Sequence, residues 1–131
     1  MFHFFFCKDL SDSNYEKLIR NLFSLEYVRY AVVLDDYGNR IVGGMNENVP
    51  STTPADVERR LEVQCILILR MAESYQQYDG SLLYSSIRWE KLSAYFFLLS
   101  DKRVLALTVQ GRAPLNFVED IREVVKAFLK K

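Results

Sequence analysis

Residues 30–44 read YAVVLDDYGNRIVGG. An apolar run meets Asp35 and Asp36, a short polar stretch follows, and a second apolar run ends in Gly43 and Gly44. Acids followed by glycine suit either a cation loop or the bend of a hairpin. The cation reading fails on spacing. An EF-hand loop opened at Asp35 requires Gly at its sixth position and Glu at its twelfth, where the chain has Arg40 and Asn46. A phosphate loop fails as well: there is no Gly-x-x-x-x-Gly-Lys run, no helix start directly after the loop, and no third glycine of a dinucleotide fingerprint. Asp35, Asp36 and Asn39 suit a turn because such side chains bond nearby amides and tolerate left-handed backbone, and Gly38 supplies a positive φ. The stretch therefore reads as a hairpin whose acids face water.

Its first arm, Tyr27–Leu34, is apolar on both parities, as expected of a strand covered on both faces. Its second arm, Arg40–Met45, is short and weakened by two glycines, which marks an edge. Upstream, Ser13 and Glu16 fit a capping box. Tyr15, Leu18, Ile19, Leu22 and Phe23 then place one apolar face on a helix over Asn14–Leu25. Downstream, a polar loop over Asn46–Thr53 leads to Thr53 as a cap and Pro54 at a first helical position. The helix that follows runs to about Tyr78, a length of roughly 36 Å at 1.5 Å per residue. Val57, Leu61, Gln64/Cys65, Ile68, Met71/Ala72 and Tyr75 mark one face. Ile66, Leu67 and Leu69 add apolar surface elsewhere, so the run Cys65–Leu69 implies a second surface to bury.

Asp79–Gly80 ends this helix. Three strands follow, Leu82–Trp89, Leu92–Leu99 and Arg103–Gln110, joined by turns short enough for hairpins. The first carries Ser85, Ser86 and Arg88 and reads as an edge, with the two serines on a solvated face; the other two are apolar on both faces. A last helix spans Leu115–Lys131, with Phe117, Val118, Ile121, Val124, Val125 and Phe128 inward. The order α-β-β-α-β-β-β-α, with doubly buried strands central, predicts a five-stranded antiparallel sheet in the order 2-1-5-4-3. The fold class is α/β of the α+β type, with three layers: the long helix on one face and the terminal helices on the other.

This order resembles the roadblock/LC7 family and its profilin-like sheet, across essentially the whole chain after Leu10. The matching features are the opening helix, the hairpin VVLDDYGNRIVGG, the long helix from Pro54, the three-strand meander and the closing helix. The chain looks most like an archaeal-type branch. Longin domains share much of the order but lack the opening helix. The resemblance implies a non-catalytic scaffold or interaction module that forms homodimers through the long helix and a neighbouring edge strand. Such domains often bind small GTPases or larger assemblies. It brings no catalytic residues and no cofactor. The apolar run on the long helix and the adjoining edge strand together give the expected dimer contact: Cys65, Ile66, Leu69, Leu82, Tyr84, Ile87 and Trp89. An unpaired edge calls for a partner, a cover or charge, and aromatic anchors are favoured at interfaces. The alternative is a small-molecule sensor holding a ligand between sheet and helix, with Tyr75, Tyr78, Tyr84 and Tyr95 as lining candidates.

Composition narrows the remaining classes. Half of the 131 residues are hydrophobic, too apolar a chain for disorder. Seventeen Lys and Arg balance seventeen Asp and Glu, so there is no cationic surplus for nucleic acid. One His and two Cys cannot make a His/Cys zinc site, and they leave little for Ser-His-Asp or Cys-His chemistry. Cys65 reads as core, and a Cys7–Cys65 disulfide is possible but unforced. No run approaches the roughly 20 apolar residues of a membrane helix. MFHFFFCKDL lacks the basic start and cleavage site of a signal peptide, so the expected location is cytoplasmic. Residues 1–10 are expected to pack on the single domain, 11–131, because four Phe in six residues oppose a disordered tail.

Overall fold

The computed structural model describes residues 12–46 and 53–130. They form α1 (Asp12–Phe23), β1 (Val28–Leu34), β2 (Arg40–Met45), α2 (Ala55–Glu73), α3 (Gln76–Asp79), β3 (Ser85–Arg88), β4 (Leu92–Leu98), β5 (Val104–Gln110) and α4 (Phe117–Leu129). The expectations for residues 1–10, their boundary with the domain, Cys7, most of the loop before Thr53 and Lys131 lie outside the described residues.

The strands form one antiparallel sheet in the order β2-β1-β5-β4-β3, as the doubly apolar strands require. One face, here the upper, is covered by α1 and α4. Leu18, Ile19 and Leu22 of α1 and Phe117, Ile121 and Val125 of α4 meet Ala31, Val33, Leu105, Leu107 and Phe97 of the sheet. The lower face is covered by α2, whose Cys65, Ile66 and Leu69 meet Val32, Leu34, Val104, Ala106 and Phe96. At about 1.5–3 kcal/mol for each fully buried large aliphatic or Phe side chain, the upper layer with two helices supplies most of the burial.

Several element ends differ from the periodicity. Ser13 lies inside α1 and not at its cap position. Pro54 rather than Thr53 occupies the cap of α2. Its extended backbone (φ −58°, ψ 143°) presents its carbonyl to the amides of Val57 and Glu58, and its own side chain makes no capping bond. The long helix also stops at Glu73, because the Ser74 hydroxyl donates back to the Met71 carbonyl at 2.7 Å and competes with the helical ladder. A separate turn, α3, follows. β3 begins at Ser85 and not Leu82, since the Leu82 amide donates to Gln76 Oε1 at 2.8 Å instead of to a neighbouring strand.

The hairpin is built around Asp35. Its Oδ1 accepts the amides of Tyr37 and Asn39, each at 2.9 Å, and its Oδ2 accepts Asn39 Nδ2 at 3.0 Å. Gly38 closes the turn at φ +86°, and a Cβ there would lie 2.8 Å from Val63 Cγ2 of α2. In β2, Gly43 has φ +116°, and a Cβ would fall 2.2 Å from the Ala31 carbonyl, so the two strands meet this closely only without a side chain. The acids do not both face water, as the sequence suggested: Asp36 accepts from Arg70 of α2 at 2.8 Å.

Partial burial alone would raise the Asp35 carboxyl. The Asn39 and Tyr37 donors, with Arg103 nearby, outweigh it and hold the group below the usual carboxylate range. The stabilisation is therefore present above an unfolded pKa near 3.8 and is lost as pH falls through the lower folded value. Asp35→Ala is expected to cost about 1 kcal/mol near neutral pH. In chemical denaturation across pH, the difference from the parent should shrink in acid below the carboxylate range.

Candidate interaction surface

The lower face of the sheet has a row with small members. Met45, Tyr30, Thr108, Ala94 and Ile87 lie opposite one another across β2, β1, β5, β4 and β3. Thr108 and Ala94 put little side chain into the space under α2. The helix is seated farther along, by Cys65, Ile66 and Leu69 on the row of Val32, Ala106 and Phe96. A groove of about 540 Å³ therefore opens beneath the N-terminal half of α2. Val57, Leu61 and Gln64 form its helical wall, Ala94 and Thr108 lie in its floor, and Trp89 stands at its side.

Polar bonds hold the helix on this seat. Glu62 is buried under α2 and accepts from the Tyr30 hydroxyl at 2.7 Å and from Arg40 Nε at 3.4 Å. Burial pushes its carboxyl above the usual range, and the Tyr30 and Arg40 bonds offset only part of that. Burial, with Glu62 alongside, pushes the Tyr30 phenol far up and keeps it a donor. Arg40 also lies over the Tyr30 ring, 5.5 Å from its centroid, with Nη2 3.9 Å from Glu58. At the other end of the helix, Arg70 joins Asp36 of the first hairpin to the Lys102 carbonyl in the β4–β5 turn, the latter at 3.0 Å. Cys65 is a free, buried thiol, which burial and the nearby Glu62 charge keep protonated. Among the described residues no cluster of three or more His, Cys, Asp or Glu is placed to hold a metal.

The expected contact residues are split by this seating. Ile66 and Leu69, 3 % and 0 % exposed, and Cys65 spend their side chains on their own sheet and have almost no surface to offer a partner. Leu82 and Ile87 are half-buried at the margin of the same lower core. Tyr84 belongs to the upper side, its ring centroid 5.7 Å from that of Phe97. Trp89 alone of the seven is exposed, beside the groove. The outward apolar surface of α2 consists instead of Val57, Val63, Leu67, Ile68 and Met71, continued by Tyr75, Tyr78 and Leu83. Ile68 and Met71 are 52 % and 70 % exposed. The Val57–Tyr75 stripe was visible as a face in the sequence. A helix apolar nearly all round carries two stripes, and periodicity does not say which one meets the sheet. β3 ends the sheet, with its Ile87 against the lower core that seats α2, and among the described residues nothing pairs with its outer edge.

Solved structures share this fold over nearly the whole chain. One described as MglB with a tetrameric arrangement superposes at a TM-score of 0.71 and 16 % identity, covering 95 % of this chain and 92 % of that one. The gliding protein MglB from Thermus thermophilus gives 0.68 at 14 % identity, with 95 % of each chain covered. A roadblock/LC7 domain from Streptomyces avermitilis gives 0.60 at 12 % identity, with 91 % of each covered. No family model matches the sequence, and no curated protein matches it. The chain has a roadblock/LC7-like fold.

Leu69→Ala should lower the unfolding free energy by about 2–5 kcal/mol, as for other fully buried large-to-small changes. Ile68→Ser, one position earlier but outward, should leave the circular dichroism spectrum of the folded chain unchanged. Equal effects of the two in denaturant titrations would contradict this seating of α2.

Proposed function

We propose that the chain is a non-catalytic, homodimeric protein-interaction or scaffold module of the cytoplasm that regulates or tethers a small GTPase or a larger assembly. The observation that carries this reading is the outward apolar face of α2 together with the open edge of β3. Contiguous exposed apolar surface of this kind marks association sites, and an uncovered edge strand favours pairing with another chain. The roadblock/LC7-like fold supports the reading by analogy, and one structure of that fold is described in a tetrameric arrangement. No helix among the described residues is long and apolar enough to cross a membrane.

The groove beneath α2 favours a second reading, a small-molecule sensor, since its volume falls in the range of ligand pockets. Light scattering coupled to size exclusion separates the two. The parent chain is expected to be a dimer at micromolar concentration, and a strict monomer would favour the sensor. Ile68→Glu with Met71→Glu should produce folded monomers, because both side chains are outward. The GTPase part is tested by capture from native lysate on the parent chain and on this double variant. A captured protein that releases GDP or GTP on denaturation, and is lost from the double variant, is the expected result.

A further inference from the structure

We propose that residues 2–7 form a sixth strand along the outer edge of β2, parallel to β1. β2 ends the sheet, and among the described residues no strand pairs with its outer side. Ile41, Val42, Gly43 and Gly44 are nevertheless all buried, whereas β3 at the opposite edge exposes Ser86 and Arg88. Gly43 and Gly44 have no side chain to turn inward, so their burial means that the backbone itself is covered. Buried backbone polar groups require partners. The Asn46 amide donates to the Arg29 carbonyl at 2.8 Å, and bonded and non-bonded pairs alternate along an antiparallel ladder. Met45 and Gly43, opposite Tyr30 and Val32, therefore turn their N–H and C=O groups to the outer side.

Two stretches of chain are candidates for this cover. Residues 47–52 leave β2 after Asn46 and rejoin at Thr53, which lines the groove together with Met45. At roughly 3.3 Å per residue they are too few to run back to Ile41 and return. Residues 1–11 precede α1, whose Tyr15 ring has the Arg103 guanidinium 6.0 Å from its centroid. Arg103 directly precedes Val104, the partner of Leu34, so α1 begins at the end of the sheet where β1 finishes and β2 starts. Residues 8–11, which span up to about 13 Å when extended, suffice to carry the chain from the sheet to the helix layer above it.

Handedness selects the β2 edge over the β3 edge. β2 and β3 are parallel and are joined through α2 below the sheet, a crossover that is right-handed by rule. A strand beyond β2, joined to β1 through α1, crosses the sheet in the same sense with both strand direction and helix face reversed. The two reversals cancel, and this crossover is right-handed as well. A strand beyond β3 would need the left-handed form. The composition fits the place. Phe2, Phe4 and Phe6 alternate with His3, Phe5 and Cys7, so aromatic rings fall on both faces of the strand. A ring on a neighbouring strand covers the surface that an edge glycine leaves bare. With β2 closed, the outer edge of β3 is the open side of the sheet.

The test is nuclear magnetic resonance on the full chain. Cross-strand Overhauser contacts are expected between residues 2–7 and 41–45, and isotope-filtered spectra of mixed labelled and unlabelled chains should assign them to one chain. Amide exchange at Gly43 and Met45 should be about 100-fold or more slower than in a free peptide. Phe4→Pro with Phe5→Pro removes a strand donor of each parity. It should return both amides to within about tenfold of free exchange, while Leu107 in the central β5 stays protected. The proposal is overturned by contacts of residues 2–7 with the groove or with the outward face of α2, by contacts that arise only between chains, or by free exchange of Gly43 and Met45 in the parent. Should the proline variant fail to fold, the contacts and exchange rates of the parent chain decide the matter.

Discussion

The contact on which the other features depend is the seating of α2 on the sheet through Cys65, Ile66 and Leu69. Once those side chains occupy the row of Val32, Ala106 and Phe96, the rotation of the helix is decided. Ile68 and Met71 must then point away, and the N-terminal half lies over the short Thr108 and Ala94, where the groove opens. The groove, the outward apolar face and the exposure of Trp89 belong to one geometry. It is a light attachment compared with the upper layer, where two helices share the opposite face.

Polar groups make that seat specific. A purely apolar contact between α2 and the sheet would tolerate rotation, since the helix has apolar residues on most sides. Glu62 removes this freedom, because its buried carboxylate is satisfied only where the Tyr30 hydroxyl and Arg40 reach it. Turning the helix would leave a buried carboxylate without donors, which is far more costly than a repacked aliphatic. Arg70 acts at the far end, tying both turns at that end of the sheet to one helix. The first hairpin thus has a second role beyond strand pairing: it forms part of the support that orients the outward face.

The hairpin, the five strands and their order were legible in the sequence. Strand parity, the Asp35–Asn39 turn chemistry and the adjacency of consecutive strands are local or nearly local, and they left few topologies. The inward faces of α1 and α4 were legible for the same reason, each helix carrying a single apolar stripe. α2 was not legible in this way. Its two stripes are about equally apolar, and Glu62, which lies buried, resembles a surface residue in any pattern of hydrophobic and polar positions. Of the contact residues read from Cys65–Leu69, Cys65, Ile66 and Leu69 therefore turned out to face the chain's own sheet.

By itself, then, the sequence determined the elements and the sheet, because backbone hydrogen bonding and side-chain alternation act over short separations. It also determined that α2 has more apolar surface than one sheet needs. Only the tertiary structure decided which side of α2 is surplus. That choice is made by residues distant in the chain, the short Ala94 and Thr108 below the helix and Tyr30 and Arg40 beside Glu62. Their effect exists only once β1, β2, β4 and β5 are assembled.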